Sequence, residues 1–199
     1  MVENCDILIV GAGTAGTYIG WLLAKKGFSE WVFSPGMLFK SNEKWWGDQG
    51  SRETAHEGID LLAYKDGQDN INHLDETIKI PAMYDGHVLK IMDDFLGKTV
   101  IIEHDLEESR RLYAIFGHVA PVGNITAGDN VREGDIVATI SAPGPKAKIP
   151  AHLHITVGWA SKPVPADRLD WNTIGCSDII ELIDPLQLFE GRYSIVSQG

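Results

Sequence analysis

The chain has 199 residues, a formal net charge of −11 and a sequence pI near 5.0. Hydrophobic residues make up 44% and charged residues 23%, which excludes a disordered or fibrous class and allows a real core in one domain or two small ones. The acidic balance argues against nucleic acid as the main partner, since phosphate neutralisation needs a basic face, and against an anionic membrane surface as an electrostatic target. Two cysteines, Cys5 and Cys176, form neither a disulfide framework nor a zinc ribbon, and leave either two free thiols or one bridge.

Taken in chain order, residues 6–24 read DILIVGAGTAGTYIGWLLA, followed by Lys25 and Lys26. One reading is strand–turn–helix, with Gly11, Gly13 and Gly16 as the turn that lets a pyrophosphate approach a helix N-terminus. This wording resembles the opening of flavin- and nicotinamide-dependent oxidoreductases. The second strand, expected at residues 31–33, ends on Ser34 where those families place an acidic ribose ligand, and no further strand–helix alternation follows. A second reading, a signal anchor, conflicts with the glycines and with Glu3 and Asp6 ahead of the apolar run and the lysines behind it. A third is an ordinary helix whose Tyr18, Trp21, Leu22 and Leu23 need a surface to pack on. The expectation is a strand–helix segment over 1–33 without a nucleotide site, then one β domain over 34–199. Membrane association through the first segment stays open.

From Ser34 onward, Pro35-Gly36, Trp46-Gly47-Asp48 and Gln49-Gly50 punctuate loops. Short apolar runs follow at 58–64, 77–80, 86–92, 99–103, 111–116, 135–140 and 152–157, separated by Gly, Asp and Pro clusters. That rhythm predicts a mainly β chain, an antiparallel β-sandwich or barrel-like fold. Residues 159–172 are Pro-rich and read as a surface loop, and 177–189 as short helical turns interrupted by Pro185.

Four of the seven histidines fall in suggestive places. His56 and Asp60 form H-x-x-x-D, His152 and His154 form H-x-H, and His118 ends the run after Tyr113. On a strand, side chains at i and i+2 share a face, so one imidazole can bind a metal while its neighbour faces the same water. Two imidazoles and a carboxylate leave one tetrahedral position open on zinc, the catalytic arrangement. The remaining histidines can carry protons. Glu57 beside His56 is not an H-E-x-x-H base, because no second histidine stands at the helical spacing.

The ordered motifs resemble the lysostaphin/LytM-type zinc metallopeptidases. Gly50-Ser-Arg52 with His56-Glu-Gly58-Ile-Asp60 is similar to their G-x-R…H-x-G-x-D segment. Asp85-Gly86-His-Val88, Val100-Ile-Ile-Glu-His104, Gly134-Asp135-x-Val137 and Ala151-His152-Leu-His154 match later elements in order, from about residue 47 to 157. The resemblance implies His56, Asp60 and His154 as zinc ligands, His118 and His152 as catalytic histidines, and cell-wall peptides of peptidoglycan as substrate. Three departures stand out. His118 follows Tyr113 by five positions rather than two, residues 65–76 are an insertion, and Ser141-Ala-Pro-Gly-Pro replaces a Gly-x-x-Gly. His73 in the insertion reads as exposed, and His87 and His104 as structural. The family's substrate would lie outside the cytoplasm, although the start of the chain is not a convincing signal peptide. The competing reading is a non-catalytic binding or carrier module of the same β rhythm, which needs neither Asp60 nor a metal.

Overall fold

Apolar residues run unbroken through 100–102 and 112–116 and alternate with others along 153–160, and these stretches lie in the long strands at the centre of the molecule. A computed structural model describes residues 27–107, 109–145, 147–175, 178–188 and 192–196. The glycine turn and helix expected within residues 1–26 lie outside the described residues, as do Cys5 and Cys176. The strands are β1 (Phe28–Phe33), β2 (Ile59–Leu61), β3 (Ala63–Asp66), β4 (Ile71–His73), β5 (Lys79–Pro81), β6 (Gly86–Asp93), β7 (Lys98–Glu107), β8 (Arg110–Pro121), β9 (Asn130–Val131), β10 (Ile136–Ile140), β11 (Leu153–Ala160), β12 (Glu181–Ile183) and β13 (Tyr193–Ile195). Among the described residues the α-helical stretch is α1 (Trp171–Gly175). The chain is mainly β, as its sequence rhythm predicts.

The large sheet runs β12-β11-β8-β7-β6-β9, with β2 alongside β11 and β10 bridging β8 to β5, and its pairings are antiparallel. One face carries Val100 and Ile102 of β7, Leu112, Ala114 and Phe116 of β8, and Leu153, Ile155 and Val157 of β11. These pack with Ile59, Leu61, Trp31 and Phe33 into the main core. The opposite face holds Ile101, Tyr113 and Ile115, covered by Val164, Leu169, Ile174 and Ile180.

Two expectations need correction here. Residues 159–172 are not a surface loop: Val164 and Leu169 are buried and α1 begins inside the stretch. The second face of the sheet is itself apolar and must be covered, so the prolines shape a lid rather than an exposed excursion. In the tail, β12 replaces a helical turn, with Val157↔Ile183 and Trp159↔Glu181 in register on the open edge of β11. A short apolar run does not distinguish strand from helix until an unpaired edge is available. Among the described residues of that stretch, Pro185–Leu188 is helical, as a 3-10 turn.

A smaller sheet, β13-β1-β3-β4, sits beside the core. The strand expected at 31–33 runs from Phe28 and is held on both edges, Trp31 opposite Tyr193 and Tyr64. It is therefore part of the β structure although it falls within segment 1–33. The insertion forms the β3–β4 hairpin, its turn held by Asp66 Oδ1 accepting the Gln68 and Asn70 amides at 2.9 and 3.0 Å. His73 is exposed, as expected.

Candidate functional site

Sheet register brings the first members of the site together. His154 stands opposite Asp60 across β11 and β2, and opposite Gly117 across β11 and β8. Their neighbours Ile59, Leu61, Leu153, Ile155 and Phe116 point into the main core, so alternation sends Asp60 and His154 to the other face. Gly58 allows the strands to close up, because a Cβ there would lie 2.0 Å from the Ile155 carbonyl oxygen. His56 reaches the same place from the loop before β2. Its amide donates to Ser41 O at 2.9 Å and its carbonyl accepts from Lys40 N at 2.9 Å.

His118 arrives by a different device. Between β7 and β8 the register passes from Lys98↔Val119 to Val100↔Phe116, so β8 carries one extra residue. The bulge falls at Gly117–His118, and His118 has φ 63°, the left-handed region. Plain alternation would place His118 with Phe116 in the core. The bulge instead turns it onto the site face, 4.7 Å from His152 ring to ring. Gly117 is closely packed, since a Cβ would lie 3.3 Å from His154 Cβ and 3.2 Å from Trp171, and those neighbours would have to give way by a few tenths of an ångström.

Three ligand-type atoms converge. His154 Nδ1 lies 2.8 Å from Asp60 Oδ1, His56 Nε2 lies 3.3 Å from that oxygen, and the two imidazole nitrogens are 3.1 Å apart. A carbonyl can only accept, so His56 Nδ1 carries the proton it donates to Leu38 O at 3.1 Å, and Nε2 offers a lone pair inward. His154 Nε2 meets Thr156 Oγ1 at 2.8 Å, a hydroxyl able to accept from it or donate to it, and Nδ1 faces inward. The other Asp60 oxygen accepts from Trp45 Nε1 at 2.6 Å and lies 3.6 Å from the Arg52 guanidinium. Arg52 is itself placed by Gly36 O and Glu43 O, both at 3.0 Å.

Charge follows from this packing. Burial alone would raise the Asp60 carboxyl, but His56 and His154 outweigh it and hold it well below the usual carboxylate range. Burial pushes His154 down, against the opposing pull of Asp60. The centre is thus a buried carboxylate with two imidazole nitrogens within 3.3 Å of one of its oxygens. A tetrahedral zinc with bonds of about 2.0–2.1 Å keeps adjacent donors roughly 3.3 Å apart, close to the spacings seen here. His56, Asp60 and His154 are the metal-competent group among the described residues, and they fit zinc.

His152 and His118 stand beside this group. His152 donates from Nδ1 to Pro150 O at 2.9 Å and turns Nε2 inward, 3.9 Å from Asp60 Oδ1. Burial pushes its imidazole down to about 4, so Nε2 is a free lone pair at neutral pH. His118 is held by Asp94, whose Oδ2 accepts the His118 amide at 2.8 Å and whose Oδ1 lies 3.2 Å from Nδ1. Asp94 also accepts the Leu96 and Gly97 amides at 2.9 and 2.8 Å and the Thr99 hydroxyl at 3.0 Å. Burial works to raise Asp94, but the hydrogen bonds from His118 prevail and keep it ionised.

All five histidine and aspartate positions singled out from sequence share one cavity of about 300 Å³, together with Arg52, Glu57, Trp46, Phe95, Ile149 and Trp171. Sequence reasoning missed Trp45, Asp94 and Trp171. Arg52 was visible as part of a motif but without a role. Nothing local marks Asp94, which meets His118 across 24 residues. Tyr113 is occupied elsewhere: its hydroxyl donates to Glu103 and accepts from the Val164 amide at 2.8 Å. His104 is buried and donates to Asp85 O at 3.2 Å, outside the site.

Residues 54–166 match the model of peptidase family M23. No curated protein matches the chain. Among solved structures, the catalytic domain of the antimicrobial peptidase lysostaphin from Staphylococcus simulans is similar over 81% of this chain and 86% of that one, with 14% identity and a TM-score of 0.40. LytU is similar over 73% of this chain and 90% of that one, with 20% identity and a TM-score of 0.40. A zinc-containing peptidase from Vibrio cholerae is similar over 72% of this chain and 40% of that one, with 20% identity and a TM-score of 0.42. The chain covers 38% of the length of a further lysostaphin structure. None of the comparisons supports an oxidoreductase-like N-terminus. M23 peptidases are zinc-dependent, in keeping with the three converging donors. With the match spanning more than half of its 199 residues and every expected histidine in one cavity, the chain belongs to peptidase family M23.

Proposed function

We propose that the protein is a zinc-dependent endopeptidase acting on bacterial cell-wall peptidoglycan, with His56, Asp60 and His154 as metal ligands and His118 and His152 as catalytic histidines. The observation that carries this reading is the set of three buried donor-type atoms on His56, Asp60 and His154, 2.8 to 3.3 Å apart. A zinc ion held by His56, Asp60 and His154 would supply Lewis acidity there, lowering the pKa of a water to around 7 and polarising a carbonyl oxygen. His152 Nε2 is positioned to accept the water's proton, since its other nitrogen is already committed to Pro150 O. His118, anchored through Asp94, then protonates the leaving amine. Trp45 and Arg52 hold the outer Asp60 oxygen so that the inner one keeps its orientation. The resemblance to lysostaphin-type enzymes supports peptidoglycan as the polymer.

The test is digestion of purified peptidoglycan by the zinc-loaded protein, with new amino termini located by mass spectrometry. Cleavage that disappears on chelation and returns with zinc is expected. Absence of cleavage by stoichiometrically loaded protein, or cleavage indifferent to chelation, would refute the reading.

A further inference from the structure

The lid that follows β11 covers the second face of the sheet with Val164, Leu169 and Ile174, packed with Ile101, Tyr113 and Ile115. Polar contacts pin it as well. The Val164 amide donates to the Tyr113 hydroxyl at 2.8 Å, and Lys90 Nζ donates to Leu169 O. At the start of α1, Asp170 Oδ1 accepts the Asn172 and Thr173 amides at 2.8 and 2.9 Å, which fixes the entry to the helix. These anchors aim Trp171 at the site. Its ring meets that of His154 edge-on at 5.2 Å and lies against Gly117, and its Nε1 donates to Thr99 Oγ1 at 3.1 Å. The family match ends at residue 166, ahead of Trp171.

Thr99 is fully buried and stands opposite the bulge, because the register runs from Lys98↔Val119 to Val100↔Phe116 with Gly117 and His118 between. An indole N–H can only donate. The Thr99 hydroxyl therefore accepts from Trp171 and turns its own proton to Asp94 Oδ2 at 3.0 Å. The same oxygen accepts the His118 amide at 2.8 Å, and the other faces His118 Nδ1 at 3.2 Å. A non-glycine residue at φ 63° stays there only where its surroundings hold it.

On the reading that His118 acts in peptide cleavage, we infer that Trp171 is a positioning residue of the active site, holding His118 in its working orientation through Thr99 and Asp94. Each bond orders the next. With the indole in place the hydroxyl proton has one direction left, and with the hydroxyl in place the carboxylate keeps one oxygen on the His118 amide and one on its imidazole. Buried hydrogen bonds linked in this way strengthen one another. Covering the second core would need no N–H at this place. The lid thus contributes to the site as well as to the core.

The test compares two variants of the zinc-loaded protein. Trp171→Phe keeps a ring against His154 and removes the N–H, and Thr99→Val keeps the side-chain shape and removes the hydroxyl. Zinc stoichiometry and KM for soluble peptidoglycan fragments should stay at the parent values while kcat falls roughly 10-fold or more in each. Thr99→Ser, which returns the hydroxyl, should recover most of that loss. The double variant should fall no further than Thr99→Val alone, since both changes act through one chain of bonds. Independently of cleavage, heteronuclear NMR spectra should show the ring nitrogens of His118 displaced in both variants and those of His104 unmoved. Parent kcat in both variants, a loss carried by KM or by missing zinc, or an unmoved His118 ring would overturn the inference. A His118 ring displaced in both variants, in a protein whose zinc-loaded parent cleaves no peptidoglycan, would uphold the positioning role and refute the peptidase reading.

Discussion

The two faces of the β8–β11 pair obey different rules although they share the same backbone. On one, Leu112, Ala114, Phe116, Leu153, Ile155 and Val157 meet only other apolar groups. On the other, Tyr113 and Ile115 give way within one strand length to Thr156, His154 and the bulged His118. The core face needs the right volume, and several side chains would serve. The site face needs each polar atom to find a particular partner: Asp60 with Trp45, His56 with Leu38 O, His118 with Asp94. A change on the first face should cost stability and leave chemistry intact in the molecules that fold. On the second it should do the reverse.

The comparison is tested most severely at Asp60. Asp60→Ala should abolish metal binding and with it nearly all hydrolysis, roughly a thousandfold or more. Elemental analysis of the purified variant checks this, and a variant retaining stoichiometric zinc would show that the carboxylate is not a ligand. His152→Ala should keep the metal but lower kcat/KM about 10²- to 10⁴-fold, because it removes a proton carrier rather than a donor to the ion. Loss of zinc as complete as in His154→Ala would merge the two roles. Asp94→Ala should retain zinc and lose roughly 10- to 100-fold in activity, the usual cost of releasing a group that orients a functional side chain. Ile155→Ala lies one residue from His154 but on the other face. It should lose about 2–5 kcal/mol of stability, read by denaturant titration, with kcat per folded, zinc-loaded molecule unchanged.

The smallest effect concerns a polar exception on the core face. His104 follows Val100 and Ile102 in alternation, and burial pushes its imidazole down to about 4. The unfolded chain protonates it near 6.5, so between these values the unfolded state binds more protons. Stability should therefore fall as pH drops from about 6.5 towards 4, by about 2 kcal/mol at pH 5. Melting curves of the zinc-loaded protein and of His104→Leu at pH 7 and 5 check it: the variant should show a flatter dependence.

The mainly β architecture was legible from the spacing of short apolar runs, and the positions of His56, Asp60, His152 and His154 from their order and the H-x-H period. His152 lies just ahead of β11 and His154 within it, on the face the period predicts. The lid over 159–172 and the edge strand β12 were not legible. Prolines read as exposure, and an apolar triplet has no period of its own until a strand edge waits for it.

What the sequence determined by itself is therefore periodic and local: where short apolar runs recur, and which donor types occur in metal-like order. What only the tertiary structure decided is non-local. The bulge at Gly117–His118 depends on a register shift against β7, and it alone moves His118 from the core face to the site. The Asp94 support of His118, the Trp45 and Arg52 hold on Asp60, and the Trp171 wall join segments 24, 15, 8 and more residues apart. The physical reason is that backbone periodicity sets only which way a side chain points. Its partner is set by which segments the buried apolar faces bring together.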